Sequence, residues 1–253
     1  MATTIELASS TSDFKGFLSN WSNAGWNSQY GAFWGPSVGL QTDQGVIAQN
    51  PGWDYTEWGN GATGGNGVLI EGNFHYGRGN LTGDVDTLTF GSGYGQSSAG
   101  LTLPTAALTL GIDQNFNPSQ PGLDKFDLAI YGIMNNSLGG LYDFLAETGT
   151  EIHDTAGSDI LVGFAGSDTF VFTGGEDVVA NDGPAGTSGY QDGTDLLDVS
   201  AWGVTDFQEL TIFPDSGDAW VAYGNHSIQL AGVDASVLDA SDFIFADSLA
   251  LVA

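Results

Sequence analysis

Two nonapeptides stand back to back in the C-terminal half of the chain: DTAGSDILV at 154–162 and GFAGSDTFV at 163–171. Their nine-residue period sets Gly157 against Gly166, Asp159 against Asp168 and Leu161 against Phe170. A repeat this short cannot bury its own apolar residue and has to stack on a neighbour to do so. Leu161 and Phe170 are therefore the expected inward positions. Over so short a stretch, a pair of ordinary Gly-Asp turns in a β-sheet gives the same pattern.

Charge narrows the partners. Against 31 Asp+Glu the 253 residues carry only 3 Lys+Arg, Lys15, Arg78 and Lys125, for a formal net charge of -28. So few cations cannot neutralise a phosphate backbone, which excludes nucleic acid, and they cannot hold an anionic membrane surface. Cations are the natural partners of such a field, although solubility alone also accounts for it. The chain is still 41% hydrophobic, too apolar for a disordered acidic tail. Its 39 Gly point to many tight turns and a strand-rich fold, and the lack of Cys rules out disulfides and thiolate metal sites. The N-terminus, MATTIELASSTSDFKGF, has neither a basic start nor an apolar run, and no stretch of the chain is apolar enough to span a membrane. An export address is therefore expected elsewhere in the chain.

Residues 13–23 read as a helix, with Ser12 as N-cap and Phe14, Phe17, Leu18 and Trp21 as its apolar stripe. Residues 24–67 are rich in Gly, Asn and Trp and read as loops and short strands. VLIEGNFHY at 68–76 and DVDTLTF at 84–90 alternate as strands, joined by the turn GRGNLTG. Residues 100–112 give a further strand or two. A second helix is expected from Leu123, with Phe126, Ile130, Ile133 and Met134 on its buried face and a second segment carrying Leu141, Phe144 and Leu145. ETGTE at 147–151 marks the expected boundary between domains 1–148 and 149–253.

The repeat resembles the RTX (repeats-in-toxin) nonapeptide G-G-x-G-x-D-x-U-x, with Asp154, Thr155 and Phe164 standing where the pattern has Gly. DTFVF (168–172), DGTDLLDV (192–199), VTDFQEL (204–210), IQLAGVD (228–234) and SDFIF (241–245) follow in the order seen in C-terminal modules of type I secreted proteins, ahead of the apolar tail SLALVA. The resemblance covers roughly 150–253. It implies a β-rich calcium-binding module, export through a type I exporter and folding triggered by external calcium. In that geometry six-residue turns wrap calcium with carboxylates and carbonyls, and Asp159, Asp168, Gly157 and Gly166 are the implied site, with Asp177 and Asp195 as neighbouring acids. Calcium takes six to eight oxygens, so one turn cannot complete a site.

Residues 1–148 resemble the HasA-type haemophore family through FKGFLSNW, GNFHYGRGNLTGDVDTLTFGSG and AIYGIMNNSLGGL, in the right order. The resemblance implies an α+β fold, with a curved antiparallel sheet on one face and helices on the other, and two loops that clamp haem. The family's G-N-x-x-Y run is Gly72–Tyr76 here, which makes Tyr76 the implied phenolate ligand. Its first loop often supplies a His; NAGWNSQYGAFWG has none, and Tyr30 falls near that position beside Gln29. The His that follows the Tyr in the family is also missing from the shorter segment 77–83, where Arg78 is the residue able to steady a phenolate. His75 adjoins Tyr76 but alternation turns it to the opposite face. Trp26, Phe33, Trp34 and Phe74 are candidates to flank a porphyrin, or to form core or a contact surface.

The three His (75, 153, 226) are scattered, and no catalytic arrangement appears. Two functions remain. One is a secreted, extracellular or cell-surface haem scavenger, with an outer-membrane haem receptor and the exporter as partners. The other is a self-assembling subunit of a calcium-stabilised filament or surface layer, with the Trp26–Trp34 and Trp53–Trp58 segments at subunit contacts.

Overall fold

A computed structural model describes residues 2–20, 30–116 and 125–246. The chain divides into two compact units, Asn20–Phe144 and a second made of Met1–Ser19 with Leu145–Ala253. The first strand, β1 (Thr3–Leu7), thus lies with the C-terminal unit and not with the domain 1–148 in which the sequence placed it. The helix α1 (Phe14–Asn20) follows, and its cap is Asp13, whose Oδ1 accepts the Gly16 amide at 2.7 Å; Ser12 was the expected cap. The remainder of that expected helix, including Trp21, falls outside the described residues.

Unit Asn20–Phe144 is built on an antiparallel sheet. Its strands are β2 (Ala32–Gly35), β3 (Gly39–Gln41), β4 (Asp54–Gly61), β5 (Asn66–Gly77), β6 (Asn80–Ser92) and β9 (Thr105–Phe116), with the short hairpin β7 (Gly95–Ser97) and β8 (Gly100–Thr102) apart. The order is β9-β6-β5-β4-β2-β3. Among the described residues three helices accompany it: α2 (Gln44–Gln49), α3 (Lys125–Met134) and α4 (Gly139–Thr148), the last leading the chain into the other unit. The alternation of β9 buries Leu108, Leu110 and Ile112, while α3 buries Phe126, Ala129, Ile130 and Ile133 at helical spacing. Phe126 stacks on Phe116 at 4.7 Å and meets Phe144 edge-on at 5.2 Å, which fixes both helices to the end of β9. The turn between β5 and β6 is tighter than the seven residues expected. Gly77 pairs with Asn80, so only Arg78 and Gly79 turn the chain, and Gly79 has φ +71. Tyr76 is thereby held at the last rungs of a ladder.

The second unit is a coil. Its further strands are β10 (Thr150–His153), β11 (Ile160–Leu161), β12 (Gly163–Phe164), β13 (Asp168–Val171), β14 (Glu176–Val179), β15 (Thr187–Ser188), β16 (Leu196–Asp198), β17 (Thr211–Asp215), β18 (Asp218–Tyr223), β19 (His226–Leu230) and β20 (Phe243–Ile244). One parallel set runs β20-β16-β13-β10-β1, the other β11-β14-β19 with β18 and β17 added antiparallel. β10, β11, β13 and β14 fall alternately in the two sheets. Ile152, Leu161, Phe170 and Val179, nine apart, are all 0% exposed. In register, Ile5, Ile152, Phe170, Leu197 and Phe243 make one inner row, and Leu161, Val179 and Leu230 the other. Full burial of each such side chain contributes roughly 1.5–3 kcal/mol, which is what a short strand needs from its neighbours. The tail SLALVA lies outside the described residues. Among those described, no helix is long and apolar enough to cross a membrane.

Candidate functional sites: a tyrosine-floored cleft and an aspartate cluster

In unit Asn20–Phe144 a cleft of about 820 Å³ opens between the β5–β6 turn and α3. Tyr30, Tyr76 and Arg78 line one side, and Leu128, Tyr131 and Met134 of α3 another. Tyr76 is only 5% exposed. Its ring lies 4.7 Å from that of Phe33 and 6.0 Å, edge-on, from that of Tyr30. The phenol oxygen accepts the Gly79 amide at 3.3 Å, a contact made by the two-residue turn, and it is hydrogen-bonded by the Tyr30 hydroxyl. The Trp58 indole donates to the Tyr30 carbonyl at 3.2 Å and fixes that residue from behind. Burial first, then the bond to Tyr76, pushes the Tyr30 pKa well above the ordinary phenol value, against a lowering by Arg78. Tyr30 therefore keeps its proton, and of the two phenols Tyr76 is the one with donors already aimed at its oxygen.

His75 is turned away, as alternation requires. Its Nδ1 lies 3.2 Å from the Trp53 carbonyl and 3.4 Å from Asp54, and it does not line the cleft. It stands apart from this cleft, whereas Tyr30 and Tyr76 are brought together. Phe33 and Phe74 are each 1% exposed and belong to the core. Trp34 packs against Ala32, Leu69 and Leu101. None of the three lines the cleft, and Trp26 lies outside the described residues. The apolar wall instead comes from α3, where Leu128 and Tyr131 remain 38% and 63% exposed. Exposed apolar residues one turn apart on a helix with a well-filled opposite face were the sequence signal for it. Trp58, expected at a subunit contact of a filament, is 1% exposed and cannot serve as an anchor.

The donor set fits haem. Two hydrogen-bond donors already meet the buried Tyr76 oxygen, and tyrosinate is an established haem ligand type. The volume lies within the range of cofactor sites, and Arg78 in the lining is a cation of the kind that pairs with a carboxylate.

In the second unit Asp154, Asp159 and Asp177 converge, with one carboxylate oxygen of each within 4.8 Å of the others, all three residues being buried. Burial, with Asp154 and Asp159 adding repulsion, pushes the Asp177 pKa up to about 7; that of Asp154 is raised by burial as well. Asp168 and Asp195 form a separate pair. The Asp168 amide donates to Asp195 Oδ1 at 2.9 Å, and the Thr150 hydroxyl donates to Asp168 Oδ1. The single site expected around Asp159 and Asp168 is therefore split between two places, because residues nine apart fall on opposite sheets: Asp159 neighbours Asp177, eighteen residues on, and Asp168 neighbours Asp195, twenty-seven residues on. Gly166 has φ +116 and faces the Ala146 carbonyl, which leaves no room for a side chain. Gly157 lies against the Thr155 hydroxyl in the turn that precedes Asp159. Asp154 was missed as a ligand, since the repeat placed a glycine there.

These features define a sheet-and-helix unit with a tyrosine-floored cleft, followed by a coil with an acidic cluster. No protein-family model matches the chain, and no curated protein matches it. Among solved structures it is similar to the apo form of the hemophore HasA from Yersinia pestis, at 19% identity and TM-score 0.43, over 58% of this chain and 87% of that one. The holo form of HasA from Yersinia pestis gives 17% and 0.43 over 58% and 89%. A HasA mutant monomer from Yersinia pseudotuberculosis gives 19% and 0.43 over 58% and 89%. Likeness at this level carries no weight for function, which rests on the chemistry of the cleft and the cluster.

Proposed function

We propose that the protein is an extracellular haem carrier, with Tyr76 as the iron ligand. The observation that supports this is the Tyr76 phenol at the floor of an 820 Å³ cleft, receiving the Gly79 amide and the Tyr30 hydroxyl. When bound, haem supplies a ferric centre for which a phenolate is a hard anionic partner. Tyr30 holds and donates to the Tyr76 oxygen in the place where the resembling family uses a His. Arg78 orients an acidic edge of the ligand, and Leu128 and Tyr131 cover its apolar face. In the same reading the C-terminal unit is ordered by calcium, and export proceeds through a type I channel whose address lies in the tail. The heavily acidic chain supports this: self-repulsion keeps it open without the ion, and calcium offsets it outside the cell. An outer-membrane haem receptor is the partner class this reading calls for.

Hemin titration of the purified protein tests it. A 1:1 end point with a ferric tyrosinate spectrum is expected, and Tyr76→Phe should abolish that spectrum while leaving the fold intact. A parent protein that gives no defined end point, or a spectrum indifferent to Tyr76→Phe, overturns the reading.

A further inference from the structure

The aspartates of the coil share one hydrogen-bonding rule, and one of them breaks it. Asp159 Oδ2 accepts the Thr155 amide at 3.0 Å, Asp168 Oδ2 the Phe164 amide at 2.7 Å, and Asp195 Oδ2 the Gln191 amide at 2.8 Å. In each case the donor lies four residues earlier. The Oδ1 atoms of Asp177 and Asp195 take the amides of Asp159 and Asp168, both at 2.9 Å. By this rule Asp177 Oδ2 should accept the Thr173 amide. It does not, because that amide goes to both oxygens of Asp154 at 2.9 Å, and the Thr173 hydroxyl goes to Asp154 Oδ1 at 2.6 Å. Asp177 is 1% exposed, and its Oδ2 is buried with no hydrogen-bond partner. A buried carboxylate oxygen without a partner is costly, and it lies in the group formed with Asp154 and Asp159.

Among the described residues no protein cation answers it. Lys15 is engaged by Asp182 at 2.8 Å, and Arg78 and Lys125 belong to the other unit. His226 accepts the Gly175 amide at Nδ1 and stacks on Trp202. The other aspartate pair needs no ion: the Thr150 hydroxyl and three backbone amides occupy all four carboxylate oxygens of Asp168 and Asp195.

We propose that Asp154, Asp159 and Asp177 bind one hard divalent cation of the calcium class, and that Asp154 makes the site by diverting the Thr173 amide from Asp177 and adding a third carboxylate. The site on the opposite edge is replaced by Thr150. This deepens the reading of the C-terminal unit as calcium-ordered and rests on it. Three carboxylates supply part of the six to eight oxygens calcium takes, with carbonyls and water left to complete the shell.

The test is calorimetric titration of the chelator-treated full-length chain with calcium chloride, with melting temperature read in parallel. One ion per chain is expected, with a rise in melting temperature. Asp154→Asn should weaken binding at least tenfold and remove the calcium-induced rise. Asp168→Asn should leave the ion count at one and the affinity within threefold. Asp154→Gly, which frees the Thr173 amide for Asp177 and removes one of the three carboxylates, should fold without calcium and bind it at least tenfold more weakly than the parent; it covers the case in which the Asn variant does not fold. Two or more ions per chain, or Asp154→Asn binding within threefold of the parent, overturns the proposal. Binding lost with Asp159→Asn but indifferent to Asp154 overturns the proposal while the calcium reading stands. No heat and no melting shift at millimolar calcium overturns both.

Discussion

Thr150→Val probes the metal-free edge of the coil. Thr150 is 1% exposed and stands nine residues before Asp159, so it occupies the place in the period that aspartate fills at 159, 168 and 177. Its hydroxyl donates to Asp168 Oδ1, while Asp168 Oδ2 keeps the Phe164 amide at 2.7 Å. Valine preserves the shape and removes the donor, leaving one buried carboxylate oxygen unsatisfied. A hydrogen bond to a charged acceptor contributes about 1.5–3 kcal/mol, and the added methyl returns little because the site has no space to gain. The expected loss is about 2 kcal/mol, equivalent to a fall of about 4–8 °C in the melting temperature of the C-terminal unit. Urea denaturation in chelator, followed by Trp fluorescence and by far-ultraviolet circular dichroism, measures it. Thr150→Ser, which keeps the hydroxyl, should lose less than about 1 kcal/mol. The reasoning fails if the valine variant lies within about 0.5 kcal/mol of the parent. It fails equally if calcium restores the whole loss, since an ion would then be doing what is here assigned to the hydroxyl.

Stability without calcium should also depend on pH with a defined sign. Burial, opposed by the hydrogen bonds from the Asp168 and Gln191 amides and helped a little by repulsion from Asp168, raises the Asp195 pKa to about 6, above the roughly 3.9 of an unfolded Asp. The folded state therefore holds that proton more tightly; the stability is present below pH ~4 and is lost as pH rises through ~6, by at most about 3 kcal/mol. The urea midpoint in chelator should fall over this window, and Asp195→Asn should make the fall smaller without removing it, because Asp177, pushed up to about 7 by burial, adds to it; a midpoint that rises instead would refute the assignment. Gly175→Ala should cost about 1–3 kcal/mol from its φ of +115 alone, before the contact of the new methyl with the Gly157 carbonyl. An alanine variant with unchanged melting temperature would show that this turn relaxes freely.

Much of this protein was legible from local pattern. The strands at β5 and β6, the apolar face of α3 and the nine-residue period all follow from spacing, because side-chain direction in a strand or helix is set within a few residues. Tyr76 was legible from the G-N-x-x-Y run, and the outward turn of His75 from alternation. What stayed hidden depends on contacts between distant segments. That β1 belongs to the coil follows from Ile5 extending the Ile152 row, and nothing in TTIEL states it. For Phe33 and Phe74 the sequence left porphyrin flank, core and contact surface open; both rings are buried in the core, and the apolar wall of the cleft comes from α3.

The sequence by itself determined a nine-residue repeat with aspartates at fixed intervals, a tyrosine at the end of a strand, and a strongly acidic charge. Only the tertiary structure decided which aspartates meet. Residues nine apart fall on opposite sheets, so Asp159 meets Asp177 two repeats on, while the longer stretch of chain after Val179 brings Asp195, twenty-seven residues on, beside Asp168. It also decided that Asp154, read as a departure from the repeat, is a ligand candidate. That role depends on where the Thr173 amide points nineteen residues away, and a hydrogen bond chosen between two distant acceptors leaves no trace in local sequence.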